Sequence, residues 1–276
     1  LRLIERYRVT HTGGTPFHLA QLMDAAVSAD GDLSSIDYYS VGGSAVDPQL
    51  IVRAQALGLP AVRCYGSTEH PSITAASGSS PLEVRGFTDG YLLRGNTIRI
   101  VDDNDDDVEA GDEGEVVANG PEQFAGYCRA EHNADAFLDN IWFRTGDIGR
   151  FENGLLRITD RKKDIIIRGG ENISAREVEE ALHAMPAVSQ CAVVAFADAV
   201  MGERVCAFIV PAADHPIDLP AILDHFQALG LARQKAPERL EIIDTMPMSA
   251  AGKILKSELK KRLAVIMRIE TAGVSN

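Results

Sequence analysis

Hydrophobic positions in the first 65 residues alternate between two periods. Val9 to Thr12 is a short β-favouring run that stops at Gly13-Gly14. From Pro16 to Ala26 the apolar residues Leu19, Leu22, Met23 and Ala26 recur at helical spacing, which predicts strand, glycine turn and helix in succession. The unit repeats: Ile36 to Val41 reads as a strand ending in Gly42-Gly43-Ser44, and Asp47-Pro48 caps a helix carrying Leu50, Ile51, Ala54 and Leu57. A third strand, Ala61 to Cys64, runs into Tyr65-Gly66-Ser67-Thr68-Glu69. Such alternation predicts a parallel sheet with right-handed crossovers, and ligands then sit beyond the carboxyl ends of the strands.

From about Leu82 to Ile158 the helical period disappears. Short β-branched runs (YLLRG, TIRIVDD, GEVVANGP, LLRITD) are separated by glycine and acidic turns, predicting a β-barrel-like subdomain. After Asp160 a charged cluster, Arg161 to Asp164, leads into Ile165 to Ile167, the pair Gly169-Gly170 and a Ser174-x-x-Glu177 spacing that opens a helix. Strands near Val188 to Phe196 and Arg204 to Val210 follow, then a helix from Leu219 to Gln227, a strand from Arg239 to Ile243 and a basic helix from Lys256 to Arg262. The expected fold is therefore α/β: the end of a parallel sheet domain over 1–82, a β-rich subdomain over 83–162 and a small α+β domain over 163–276, hinged near Lys163.

Composition narrows the function classes. At 276 residues, 45% hydrophobic and 24% charged, the chain has material for more than one core. A net charge of -13 repels phosphate backbones and acidic membrane surfaces, so no nucleic-acid partner is expected. No apolar run is long enough to span a bilayer, no signal peptide opens the chain, and Cys64, Cys128, Cys191 and Cys206 are too dispersed for a zinc or disulfide framework; a cytoplasmic location is expected. The first residue is Leu1 and a helix-like segment begins at once, so a piece of a longer chain is expected.

Several stretches carry candidate chemistry. Beyond the strand ends, glycine backbone can approach rings and phosphates, Tyr65 offers a face to a base, Thr68 a hydroxyl to phosphate and Glu69 an oxygen to Mg²⁺. Trp142-Phe143-Arg144-Thr145-Gly146-Asp147 reads as an aromatic pair entering a glycine turn; its carboxylate could accept from both hydroxyls of a ribose, or simply cap the turn. The acidic run Asp102 to Asp107 has Asp107 where a calcium loop needs glycine, and reads as a solvated turn. Pro247-Met-Ser-Ala-Ala-Gly252-Lys253 delivers a lysine before the last helix; with Pro247 and Ile254 at its key positions it is not a phosphate-cradling P-loop.

Taken together and in this order, YGSTE, WFRTGD, DRKKDIIIRGGEN and PMSAAGK resemble the motifs of AMP-forming adenylate synthetases, a superfamily of acyl- and aryl-CoA ligases, carrier-loading adenylation domains and luciferases. The resemblance is closest to the carboxyl-terminal portion of ligases for medium-chain or alicyclic acids. It implies a two-step reaction in which a carboxylate attacks the α-phosphate of Mg·ATP to give acyl-AMP, which a thiol, CoA, then captures. The resemblance assigns ATP or AMP binding to Gly42, Gly43, Ser44, Tyr65, Gly66, Ser67, Thr68, Asp147 and Arg161. Metal binding falls to Glu69, and catalysis to Lys253 with Thr68 and Glu69. Lys163 becomes the hinge and Gly169, Gly170 and Glu171 the CoA contacts.

The acyl pocket is expected at Phe17, His70 and Ser72, although His70 reads equally as a satisfied loop histidine. The family also carries, upstream of where this chain begins, a Ser/Thr/Gly-rich loop with a lysine, which this sequence lacks; the chain alone is expected to be inactive. Loading of a carrier protein, or AMP binding without catalysis, remain alternatives at this point. The expected partners are a carboxylic acid and CoA, with a homodimer as one assembly and fatty acid metabolism as the setting.

Overall fold

In a computed structural model that describes residues 1–213, 215–250 and 252–273, the chain divides into two units, Leu1–Thr159 and Asp160–Asn276. Among the described residues, no helix is long and apolar enough to cross a membrane.

The first unit opens with α1 (Arg2–Tyr7), β1 (His11–Gly14), α2 (Pro16–Ala29), β2 (Tyr38–Val41), α3 (Pro48–Ala56) and β3 (Ala61–Tyr65). β1 pairs with β2, and β2 with β3, all parallel, so the three strands end on one edge as the sequence alternation predicts. α2 starts at Pro16 and α3 at Pro48, where the ring presets a helical φ and the missing N–H costs nothing; Asp47 accepts from the amide of Gln49 at 2.9 Å. Leu19, Met23 and Ala26 of α2, Ile51 and Ala54 of α3, and Tyr39, Val41 and Ala61 of the strands form one buried cluster.

The chain then turns antiparallel through β4 (Thr74–Ala75), the short helix α4 (Leu82–Phe87), β5 (Tyr91–Leu92), β6 (Thr97–Val101), β7 (Gly114–Asn119), β8 (Phe137–Leu138), β9 (Trp142–Glu152) and β10 (Leu155–Arg161). The antiparallel strands of the expected β-rich, barrel-like subdomain are hydrogen-bonded onto the parallel strands. Ten strands form one mixed sheet in the order β1-β2-β3-β4-β5-β10-β9-β7-β6, with β8 on β9. A buried ion pair ties the two stretches: Arg63 of β3 donates twice to Asp89 Oδ1, at 2.7 and 3.1 Å, and Asp89 Oδ2 accepts from the Ile158 amide at 2.8 Å. The acidic run after β6 is a turn in which Asp102 Oδ1 accepts from the amides of Asn104 and Asp106; these bonds hold its carboxyl below the usual range.

The second unit begins at the end of β10 and contains β11 (Ile166–Arg168), β12 (Glu171–Ile173), α5 (Ala175–His183), β13 (Val188–Asp198), β14 (Gly202–Pro211), α6 (Leu219–Ala228), β15 (Arg239–Ile242) and α7 (Lys256–Gly273). Its five-stranded sheet runs β12-β11-β14-β13, with β15 parallel to β14. The nearly unbroken apolar runs of β13 and β14 follow from burial of both faces. Cys191, Val193, Val205, Ala207 and Ile209 point into a core with α5 and α6, and the intervening Ala192, Val194, Cys206 and Phe208 into a core with α7.

Candidate functional site

β3 ends at Tyr65, and the following loop folds back on itself: the Ser67 amide donates to the His70 carbonyl at 2.9 Å and the His70 amide to Ser67 Oγ at 3.2 Å. A Cβ on Gly66 would stand 2.1 Å from the Pro71 carbonyl oxygen, so only glycine fits this close approach. The closed loop leaves Thr68 exposed and Glu69 half-buried at the carboxyl edge of the parallel strands. Gly42 joins that edge, its amide donating to the Gly14 carbonyl at 3.2 Å, with Gly43 and Ser44 after it.

Asp147 reaches the same loop from β9. The sequence predicts a turn at Trp142–Asp147; in the structure the strand continues to Glu152, and the glycine signal marks a bulge. Glu115 of β7 pairs with Ile148 and Val117 with Arg144, so three residues of β9, Thr145 to Asp147, oppose Val116 alone. Gly146 takes φ 68°, which its missing Cβ permits. Thr145 Oγ1 donates to the Val116 carbonyl at 2.7 Å and accepts from the Asp147 amide at 3.1 Å, fixing the bulge. Asp147, 7% exposed, accepts at Oδ2 from Tyr65 Oη at 2.8 Å.

Sequence reasoning missed Tyr127. Its Oη donates to Glu69 Oε1 at 2.9 Å, while the Phe124 amide donates to the Glu69 carbonyl at 2.8 Å, so this segment holds Glu69 by side chain and backbone. Asn133 grips the Tyr127 backbone, accepting from its amide at 2.7 Å and donating to its carbonyl at 3.1 Å. Phe124 packs edge-on against Tyr127 and Phe143 and stacks on Phe137. Burial, then the Glu69 contact, raises the Tyr127 phenol above its ordinary value. A cleft of about 410 Å³ lined by Tyr127, His132, Asp135, Phe143 and Arg144 adjoins it.

Among the described residues no group of three or more His, Cys, Asp or Glu side chains could hold a metal ion. Glu69 is thus one carboxylate beside an exposed hydroxyl. That donor set fits Mg²⁺ arriving with phosphates and keeping its waters, and does not fit a cation held by protein alone.

The residues expected at the acyl pocket fall in different environments. Phe17 is exposed in the first turn of α2, Ser72 is half-buried, and His70 is fully buried with Nε2 3.1 Å from Asn96 Oδ1. Asn96 donates onward to the carbonyls of Ser72 and Ile73, pinning the loop that carries Thr68 and Glu69; His70 Nδ1 has no hydrogen-bond partner.

The second unit carries Arg161, Lys163, Gly169, Gly170, Glu171 and Lys253. Arg161 is exposed at the end of β10, and Lys162–Asp164 form a 3-10 turn. Gly169 and Gly170, at φ 58° and 87°, close the β11–β12 hairpin, in which Arg168 faces Glu171. Lys253 is exposed on a loop whose closure is tight: the Ser249 amide donates to the Lys253 carbonyl at 2.8 Å, the Lys253 amide to Ser249 Oγ at 3.2 Å, and Met248 bridges Ile254. Ala251 of this motif lies outside the described residues.

Comparison with known proteins places this arrangement in a family. The model of the AMP-binding enzymes matches residues 1–128, and that of the AMP-binding enzyme C-terminal domain matches residues 177–253. The chain belongs to this superfamily of AMP-forming ligases. It is 37% identical over 265 residues to the medium-chain fatty-acid–CoA ligase of Escherichia coli (strain K12), covering 95% of this chain and 47% of that protein. It is 36% identical over 268 residues to the 2,3-dihydroxybenzoate-AMP ligase of Bacillus subtilis (strain 168), covering 95% and 49%. The solved o-succinylbenzoate CoA synthetase (MenE) of Bacillus subtilis, in complex with its acyl-adenylate intermediate, superposes with a TM-score of 0.82 at 30% identity over 94% of this chain and 52% of that one. The chain spans about half the length of the curated relatives it matches.

Proposed function

We propose that this protein activates a carboxylic acid with ATP, through an acyl-adenylate, and passes the acyl group to CoA. The observation that carries the reading is the meeting of Tyr65 with Asp147 at 2.8 Å, on the edge where Thr68 and Glu69 are presented. Tyr65 would lie against adenine beside the Gly42-Gly43-Ser44 loop and Gly66-Ser67, while Asp147 and Arg161 would take the ribose hydroxyls. Thr68 would donate to the α-phosphate. Glu69, held by Tyr127, would bind Mg²⁺, which when bound neutralises charge on the phosphates.

Lys253 would act as the adenylation lysine, stabilising negative charge that develops between carboxylate and phosphate. Lys163 would be the hinge between the half-reactions, and the Gly169-Gly170-Glu171 turn would meet the pantetheine of CoA. Phe17, His70 and Ser72 would border the acyl group. A medium-chain or alicyclic acid is the substrate class we favour, with a role in fatty acid metabolism in the cytoplasm.

The likeness to a 2,3-dihydroxybenzoate-AMP ligase supports a second reading, an aryl acid loaded onto a carrier protein. One assay separates them: AMP release from ATP by the full-length protein over aliphatic, alicyclic and aryl acids, with and without CoA. CoA-dependent release with an aliphatic or alicyclic acid is expected. Release with aryl acids alone and indifferent to CoA would establish the second reading, and no release with any acid would overturn both.

A further inference from the structure

Three residues beyond Lys253, α7 begins with a lysine that points inward rather than to solvent. Lys256 Nζ lies 2.8 Å from Glu179 Oε1 of α5, and its side chain is only 23% exposed. Glu179 is itself fixed, because the same oxygen accepts from the Val193 amide of β13 at 2.7 Å. Leu259 and Leu263, on the face of α7 that follows, bury against Ala192, Val194, Cys206 and Phe208. The ammonium is thus the first anchor of α7, at the point where the Lys253 loop ends.

Lys256 also feels the segment that leads into this unit. The carboxylates of Asp164 and Asp160 act on the same ammonium, and Lys260, one turn along α7, stands 4.0 Å from Asp164 Oδ1. Asp160 Oδ1 accepts from the Arg161 amide at 2.6 Å, and Asp160 Oδ2 is buried without a hydrogen-bond partner. A buried carboxylate oxygen left unpaired is costly, and a nearby ammonium offsets that cost. Lys256 therefore pairs with Glu179 at the base of the Lys253 loop, while Lys260, one turn on, is the lysine that reaches the 160–164 segment.

We propose that Lys256 is a positioning residue for adenylation: by pairing with Glu179 it fixes the base of the Lys253 loop on α5 and β13. This rests on the reading of Lys253 as the adenylation lysine. Because Lys253 is exposed and long, its placement depends on where the loop's two ends are held. One end is closed by the Ser249 contacts; Lys256 holds the other. A substitution there moves a catalytic group without touching it, and displacements of about an ångström can cost on the order of a hundredfold in rate.

The test uses the full-length protein with the Lys256→Met, Lys256→Arg and Lys253→Ala substitutions, measuring pyrophosphate release, thioester formation from supplied acyl-AMP and CoA, and thermal midpoint. Lys256→Met is expected to slow pyrophosphate release by about ten- to a hundredfold, mostly in kcat, while changing thioester formation less than about twofold. Lys256→Arg, which keeps the charge, should recover most of the loss. Equal loss in both half-reactions, or no loss in the first, would overturn the proposal. If Lys256→Met fails to fold, Glu179→Gln, which keeps an oxygen for the Val193 amide, should show the same split. Full pyrophosphate release by Lys253→Ala would sink the underlying reading itself. Loss in Lys253→Ala with wild-type behaviour in Lys256→Met would sink only the positioning role.

Discussion

Tyr65 and Asp147, 82 residues apart in sequence, are joined by a 2.8 Å hydrogen bond in which the phenol donates to the carboxylate. The bond depends on two local devices: a strand end that stops at Tyr65, and a bulge in β9 that aims Asp147 at it. An aromatic face and a buried carboxylate on one spot suit a nucleoside, whose base stacks and whose diol donates.

Asp147→Asn should therefore weaken AMP binding to the full-length protein by roughly ten- to a hundredfold, the range for losing a hydrogen bond to a charged group. Tyr65→Phe, which keeps the ring, should cost much less. Calorimetric titration with AMP is the check; wild-type affinity in Asp147→Asn would remove the ribose role from Asp147.

Lys253→Ala should lower acyl-AMP formation by on the order of a hundredfold or more, the scale for removing a preorganised charge from a transition state. Thioester formation from supplied acyl-AMP should stay near the wild-type rate, since the thiol then attacks the acyl carbon and no bond is made to the α-phosphate. Comparable loss in both steps would mean that the loop serves the whole fold and not one half-reaction.

Lys163 sits at the centre of the 3-10 turn Lys162–Asp164, a conformation whose φ a proline ring also enforces. Lys163→Pro should therefore fold, but restrict any state that needs a different φ there. We expect thioester formation to fall more than adenylation, read by single-turnover kinetics of each step. Wild-type rates in both would place the hinge elsewhere.

Much of the fold could be read from local pattern, and what escaped was non-local. The strands β13 and β14 announce themselves because both faces are covered, leaving runs such as Cys191 to Phe196 without polar interruption. The helix α4 did not, being six residues long with Gly86 inside it. Thr145-Gly146-Asp147 carries the same signal whether it turns the chain or bulges a strand. The difference lies in Val116 of β7, some thirty residues upstream, which no local pattern reveals. Tyr127 was invisible for the same reason, its partner Glu69 being 58 residues away.

The cysteines should react very unequally. Burial pushes the Cys206 thiol up to about 12 and Cys191 higher still, so neither supplies thiolate at neutral pH. Cys64, half-buried, is also raised by burial, and Cys128 is exposed. Brief treatment with an aromatic disulfide reagent, followed by peptide mass mapping, should label Cys128 first and leave Cys191 and Cys206 untouched until the second unit unfolds. Early labelling of either buried thiol would contradict the packing of β13 on β14.

Glu238 should make the second unit's stability depend on pH. Arg168 donates to both its oxygens at 2.9 Å and Arg204 adds a third bond at 3.0 Å; the Arg168 bonds, chiefly, hold its carboxyl below the ordinary value of 4.5. With the native pKa depressed, the unfolded chain takes up the proton first as pH falls. The stabilisation is therefore complete above the ordinary carboxylate pKa and is lost as pH drops through the depressed native one. Glu238→Gln should then cost about 1–3 kcal/mol at neutral pH, with the gap from wild type closing in acid. The only tryptophan, Trp142, lies in the first unit, so fluorescence would miss the change. Hydrogen exchange at the β13 and β14 amides reports it directly, and a gap unchanged from neutral pH into acid would show that Glu238 acts by packing and not by charge.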